Sequence, residues 1–346
     1  MRSMGYLPKA IEVRHLERFD SIGLIDRVRR LKSRYRKDAY GIRDYLEVLI
    51  AEGARNLLIG RVPTLRRIVK VVDTYLPANV FYGPIKKSDR RSAAYARVNA
   101  ALKKIFDYDK FMDWGDGGKP TWGGRALAIE LSKRIKYCPY CNAETVSAFR
   151  FTDKGTLKLS KSSFDHFFPR ARYPFLGVSL YNLIPSCDRC NSKFKRDQHE
   201  GFRNLCHPHE MSSKSRPDFH DGMKFDVLFR RPVSRGAFDV ADFAGVVVHE
   251  RVKGGCKGGE RMRQLFKIDD VYSQLYMQEA ADLVWKAARF PVGYVEKILS
   301  ILQTSDMTMS SFERLLYGAP LDELEINKHR FAKMTIDRVK TYRKEG

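Results

Sequence analysis

Four of the six cysteines fall into two pairs at metal-binding spacing, Cys138-Pro-Tyr-Cys141 and Cys187-Asp-Arg-Cys190. Two such knuckles supply four thiolates, the donor set of a closed tetrahedral zinc site. A redox role for Cys138 and Cys141 is disfavoured, because no thioredoxin-like strand and helix surround the pair. Between the knuckles, and just after the second, stand Asp165-His166, Pro169, Asn182 and Asn191. A carboxylate, an imidazole and an amide are the groups that hold a hard cation and move a proton. Singly these residues are ordinary, an Asp-His dipeptide, a turn residue and a helix cap. Their joint order with two cysteine pairs is what carries chemistry.

That order resembles the HNH endonucleases, the ββα-metal nucleases, in their four-cysteine zinc form. The match covers about residues 137–195. The resemblance implies phosphodiester hydrolysis, with His166 as the general base that takes a proton from water, a task suited to a neutral imidazole near physiological pH. Asp165 and Asn191 are then ligands of a catalytic Mg²⁺ or Mn²⁺, whose remaining shell is water and substrate phosphate. Asn182 is carried over as the residue that holds the loop after the base through backbone hydrogen bonds. Zinc on Cys138, Cys141, Cys187 and Cys190 is structural. The family's lysine after the last Asn has no direct equivalent: Phe194 stands at that place, with Lys193 and Lys195 on either side. With Arg170, these lysines are the expected phosphate contacts near the site. The third metal position is Asn191 where many members have His.

A wider likeness runs through Arg134–Asn142, Phe164–Pro169, Tyr173–Leu176 and Ser179–Cys187, and weakly through Phe266–Lys286. These stretches look like the HNH subunits of bacterial anti-phage systems such as Septu, which implies an ATPase or other defence-system partner. Residues 1–110 have no such counterpart and are candidates for partner or substrate recognition.

The elements that must position these residues follow from periodicity. From about Ile11 to Ile135 the pattern is helical without a strand. Leu24, Ile25, Val28, Leu31 and Tyr35 form an apolar stripe. Arg27, Arg29, Arg30, Lys32, Arg34, Arg36 and Lys37 fill the other positions with no acid among them. Further stripes run through Ile42, Tyr45, Leu46 and Leu49, and through Ala94, Val98, Ala101, Leu102 and Ile105 after a cap at Ser88-Asp89. Trp114–Pro120 reads as a loop, and Ala126–Ile135 as a short helix entering the first knuckle. Thr145–Phe151 and Thr156–Ser160 flank Asp153-Lys154-Gly155 as a hairpin. Asn191–Asp197 suits a helix that fixes Asn191 beside the hairpin. Lys224–Phe229 and Gly245–His249 read as strands. Gly254–Gly259 reads as a flexible connection, and Val271–Ala288 and Leu321–Tyr342 as helices. The expected fold is α+β: a helical basic region 1–125, a zinc-stapled ββα-metal core 126–205, a mixed strand and loop extension 206–255, and a helical region 256–346. Cys206-His207-Pro208-His209, with His199, reads as a polar surface loop and not a second metal site. Cys256 reads as an incidental thiol. The glycines around Lys257 do not form a P-loop.

The chain has 346 residues, 64 Lys and Arg against 41 Asp and Glu, and a net charge of +23. An excess of that size calls for a polyanionic partner. Forty-three per cent hydrophobic residues exclude wholesale disorder, and no apolar run long enough to span a bilayer occurs, so nucleic acid is favoured over a membrane. No secretory signal opens the sequence, and a cytoplasmic location is expected. Arg29, Arg30 and Arg34 are expected to contact nucleic acid. The reading is a DNA endonuclease, which in this family leaves 5′-phosphate and 3′-hydroxyl ends. The alternatives are an HNH ribonuclease acting on structured RNA, a noncatalytic zinc-dependent nucleic-acid-binding protein, and a partner subunit whose basic surface meets an acidic protein.

Overall fold

The computed structural model describes residues 2–20, 23–35, 40–77, 89–114, 122–196, 204–214, 217–232, 239–252, 256–290, 292–302 and 307–344. Ser88, most of the Trp114–Pro120 loop, Arg36, Lys37, Asp197, His199, Gly254 and Gly255 lie outside the described residues.

The N-terminal region is helical: α1 Lys9–Asp20, α2 Leu24–Ser33, α3 Ile42–Ile59, α4 Val62–Val72, α5 Arg90–Ile105, α6 Tyr108–Asp113 and α7 Gly124–Ser132. The apolar stripes face inward. α2 buries Leu24, Val28 and Leu31, and α4 buries Val62, Leu65, Ile68, Val69 and Val72. Each such side chain contributes about 1.5–3 kcal/mol of burial, enough to hold helices too short to persist alone. Asp89 starts α5 by accepting the Ser92 backbone N–H at 2.9 Å. α3 packs against α1, α2 and α4 and bends at Gly53.

Three two-stranded antiparallel sheets follow. β1 Phe149–Asp153 pairs with β2 Thr156–Ser160. The turn between them has φ of 49° at Lys154 and 75° at Gly155. Two successive positive φ values match the right-handed twist of the strands, and glycine accepts one of them without steric cost. β3 Phe164–His166 pairs with β4 Leu183–Pro185. The chain then makes a π-helical turn, Arg189–Lys195, closed by Arg196 N–H on the Asn191 carbonyl five residues back at 2.9 Å. α8 Phe219–Gly222 leads into β5 Met223–Phe229, which pairs with β6 Phe243–Glu250. The C-terminal helices are α9 Lys257–Leu265, α10 Ile268–Leu275, α11 Met277–Arg289, α12 Val292–Leu302, α13 Met309–Tyr317 and α14 Ala332–Lys344. α10 covers β6 and α14 covers β5. One contiguous hydrophobic core runs from Met4 to Val339. The chain is thus mixed α and β, with small sheets set among helices.

Several local expectations are corrected. Thr145 does not enter the hairpin strand but bridges Tyr137 within the first knuckle, and β1 starts at Phe149. Gly258 and Gly259 do not lie in a flexible connection. They sit in the first turn of α9, where a Cβ on Gly259 would come within 2.6 Å of Met223 and 2.7 Å of the Cys256 sulfur. Leu321–Tyr342 is not one helix, since a 3₁₀ stretch Glu323–Lys328 precedes α14, and Val271–Ala288 is split between α10 and α11 at Tyr276, whose φ of −132° leaves the helical region. Cys206–His209 is not a surface loop: His207 and His209 are buried. The N-terminal strap lies over them, with Met4 N–H on the Pro208 carbonyl at 2.6 Å and His209 Nδ1 on the Gly5 carbonyl at 2.9 Å. Burial holds the His209 imidazole neutral, with its pKa lowered to about 4. Cys256 is also no isolated thiol, because its sulfur lies 3.9 Å from that of Cys206.

Candidate metal centre and active-site groove

The two knuckles converge. The sulfurs of Cys138, Cys141, Cys187 and Cys190 all lie within 4.8 Å of one another, and all four residues are buried. A tetrahedral zinc with Zn–S of about 2.3 Å has sulfurs about 3.8 Å apart, and Cys141 and Cys187 stand at 3.9 Å. The first knuckle is a tight turn in which Asn142 N–H bonds the Cys138 carbonyl at 2.7 Å and Asn142 takes a φ of 56°. The second begins where β4 ends and runs into the π-helical turn. Hydrogen bonds with the neighbouring thiols, and then burial, push the Cys190 thiol well above its usual range. A bound cation reverses that preference by stabilising thiolates. The donor set therefore fits a metal such as zinc. Among the described residues no other group of His, Cys, Asp and Glu has metal-ligand spacing.

Next to this staple lies an open groove of about 410 Å³ whose lining includes Asp165, His166, Arg170, Asn191 and Lys195. Pairing of β3 with β4 sets Asp165 opposite Ile184 and His166 opposite Leu183. The π-helical turn, anchored at Cys187 and Cys190, carries Asn191 and Lys195 to the same groove. Asn182 is fully buried. Its Oδ1 accepts the Phe168 N–H at 2.7 Å, and its Nδ2 donates to the carbonyls of Phe168 and Leu176, both at 3.0 Å. That fixes the segment after His166 at both ends.

His166 Nε2 lies 2.9 Å from the Gly177 carbonyl. A carbonyl only accepts, so Nε2 carries the hydrogen and Nδ1 keeps its lone pair. Burial of the ring, with a smaller opposing effect from the Gly177 carbonyl and a further lowering from Arg170, brings its pKa down to about 4. The imidazole is therefore neutral at pH 7. Asp165 is buried, with Tyr140 Oη donating to Oδ2 at 2.5 Å and Lys195 Nζ donating to Oδ1 at 2.7 Å. Lys195 also donates to the His166 carbonyl at 2.7 Å and is itself buried. Expected from the sequence as a phosphate contact, it is committed to Asp165 in this structure. Lys193 is exposed, and Arg170 ion-pairs with Asp109 at 3.1 Å while lying over the Tyr108 ring.

Sequence reasoning missed three groups. Tyr140 sits inside the first knuckle, where its neighbours Cys138 and Cys141 mark it as close to the metal, yet its bond to Asp165 is purely tertiary. Tyr108 packs edge-on against His166 with ring centres 4.6 Å apart, and burial pushes its phenol up to about 12. Lys103 joins the same wall. Both belong to the N-terminal helical region, far away in sequence.

Arg29, Arg30 and Arg34 lie apart from the groove lining, on the exposed face of α2 and its C-terminal end. The run has no acid of its own after Asp26, but the fold supplies one: Arg29 pairs with Asp26 at 2.7 Å, and Lys32 pairs with Glu47 of α3.

Comparison with known proteins adds one distant relative. The chain is 28% identical over 99 residues to the Septu protein PtuB of Bacillus thuringiensis, a match that covers 28% of this chain and 35% of that protein. No protein-family model matches the chain, and no solved structure matches it at a significant level. No helix among the described residues is long and apolar enough to cross a membrane.

Proposed function

We propose that this chain is a metal-dependent endonuclease of the HNH type that hydrolyses phosphodiester bonds of nucleic acid, DNA before RNA, as a subunit of an anti-phage defence system. The observation that carries the reading is a neutral imidazole, a buried carboxylate and an amide lining one groove beside a four-cysteine staple. Similarity to a Septu protein supports the defence role and work within a defence-system complex. The net charge of +23 supports a polyanionic substrate.

In this reading His166 Nδ1 takes the proton of an attacking water, while the Gly177 carbonyl holds the ring in the tautomer that leaves Nδ1 free for it. Asn182 keeps that carbonyl in place by pinning Leu176 and Phe168. Asp165 and Asn191 would hold a Mg²⁺ or Mn²⁺, each Asp165 oxygen retaining a lone pair beyond its one hydrogen bond. Such an ion supplies charge stabilisation to the phosphate and the leaving oxygen. Arg170 in the groove, and the exposed Lys193 on the π-helical turn, neutralise phosphates. The cysteine cluster is read as structural zinc.

A second reading has one observation in its favour. Both Asp165 oxygens already carry a donor, which suits a noncatalytic, zinc-stapled nucleic-acid-binding subunit. Incubating wild type and His166→Ala with plasmid DNA and with structured RNA, each with Mg²⁺ or Mn²⁺, separates the two. A nuclease loses about 10²–10⁴-fold in rate on losing its general base, with metal content and nucleic-acid binding retained. Equal cleavage by both proteins would reject His166 as the base. Binding without cutting under every divalent metal, with the partner protein present, would establish the second reading.

A further inference from the structure

No residue of the β1–β2 hairpin lines the groove, and the hairpin has no role in the reading above. Phe149 is 59% exposed and Phe151 41% exposed. As alternate residues of one strand they share a face, and their ring centres lie 6.1 Å apart. Lys158 stands directly opposite Phe151, and so lies on that same face. Among the described residues the two strands form a sheet with no third member, and an exposed aromatic pair on so narrow an arm has the character of an interaction site.

Charge decides what fits it. Residues 149–161 contain Arg150, Lys154, Lys158 and Lys161 against one acid, Asp153, which forms an exposed ion pair with Lys158, a contact of little net strength that a phosphate can replace. At the hairpin base Lys161 is partly buried near Arg125 and Asp113. The base also adjoins the groove. β2 ends at Ser160 and Ser163 already lines the groove wall, a span of at most roughly 10 Å. The two rings, 6.1 Å apart and tilted 47° to one another, offer separate faces, and a base face is free to meet one only where it is not already stacked at the ~3.4 Å rise of a duplex.

We propose that this hairpin is a stacking arm for a single-stranded segment of nucleic acid continuous with the groove, Phe149 and Phe151 lying against unpaired bases while Lys158 on the same face and Lys154 at the turn meet the backbone. Aromatic faces bind any base and basic neighbours track phosphates, the combination used for sequence-tolerant single-strand binding. The inference rests on the nucleic-acid reading of the groove.

The test uses the full chain in EDTA, so that nothing is cut, with a fluorescein-labelled oligothymidylate and a duplex of equal length as probes. Phe149→Ala with Phe151→Ala is expected to weaken oligothymidylate binding about tenfold or more and duplex binding less than twofold. The salt dependence for the oligothymidylate should be unchanged, because every basic side chain that meets a phosphate is still present. Phe151→Trp should retain binding. Unchanged oligothymidylate affinity overturns the proposal. So does an equal loss on both probes, or an effect confined to self-association or to capture of a partner protein. A wild-type protein that never cuts, combined with the expected loss in the variant, would reject the nuclease reading and leave the arm standing.

Discussion

The Lys195 ammonium lies 2.7 Å from Asp165 Oδ1, and both residues are almost completely removed from solvent. A buried carboxylate without a counter-charge is costly, and removing one partner of a buried pair typically destabilises by about 3–5 kcal/mol. The lysine therefore stands where a divalent cation on Asp165 would supply the same charge. We expect Lys195→Met to lower the melting temperature in EDTA and Mn²⁺ to restore part of the loss, with a smaller metal-induced shift in wild type. Thermal melts of both proteins with and without Mn²⁺ provide the check. Equal metal shifts would exclude Asp165 as a ligand.

The four sulfurs form one closed site, so one zinc per chain is expected by elemental analysis. Structural zinc carries roughly 10–16 kcal/mol of apparent binding energy in small domains. Here it would hold the π-helical turn against β3 and β4, so Cys190→Ser should lose metal and solubility together. A full zinc complement in Cys190→Ser would show that the metal sits elsewhere.

The cysteine spacing was legible because ligand number and geometry are local properties of two short turns, and the same is true of the Lys154-Gly155 hairpin and the apolar faces of α2 and α5. What the sequence could not show was set by distant contacts. The N-terminal strap buries His207 and His209, converting a polar string into core. The partners of Lys195 and of Tyr140 meet only when β3, the first knuckle and the π-helical turn are assembled. The basic run of α2 reads as uncompensated in sequence because Glu47, which pairs with Lys32, lies on another helix.

That pairing sharpens the electrostatic expectation. Arg30 and Arg34 face solvent, and Arg29 reaches only a neighbouring Asp26. If α2 contacts duplex DNA, reversing Arg29, Arg30 and Arg34 to Glu should weaken binding and reduce the slope of log affinity against log salt by about 0.9 for each phosphate that is no longer neutralised. Binding isotherms at several salt concentrations measure this. An unchanged slope would make α2 a solvated face.

Asn182 offers a test of positioning. Asn182→Ala orphans the Phe168 N–H and the Phe168 and Leu176 carbonyls, each costing on the order of 1–3 kcal/mol if left buried and unpaired. Cleavage should fall together with stability, since Gly177, which follows Leu176, orients His166. Measured well below the variant's melting temperature, a wild-type turnover rate would mean that the Gly177 carbonyl needs no such support.

Acid sensitivity should arise partly at His15. Its Nε2 lies 2.8 Å from the Val178 carbonyl and its Nδ1 accepts the Trp122 indole N–H at 3.1 Å. Both nitrogens are used by the neutral ring, and burial lowers its pKa to about 4 against an unfolded value near 6.5. Between these values the unfolded chain binds more protons than the folded one, so stability rises with pH across that window. The contribution is fully present above pH 6.5 and is lost as the pH falls towards 4. Urea midpoints should therefore drop from pH 7.5 to pH 5, and His15→Gln, which keeps one donor and one acceptor without titrating, should make that drop smaller. An identical pH slope in the variant would place the acid sensitivity at other groups.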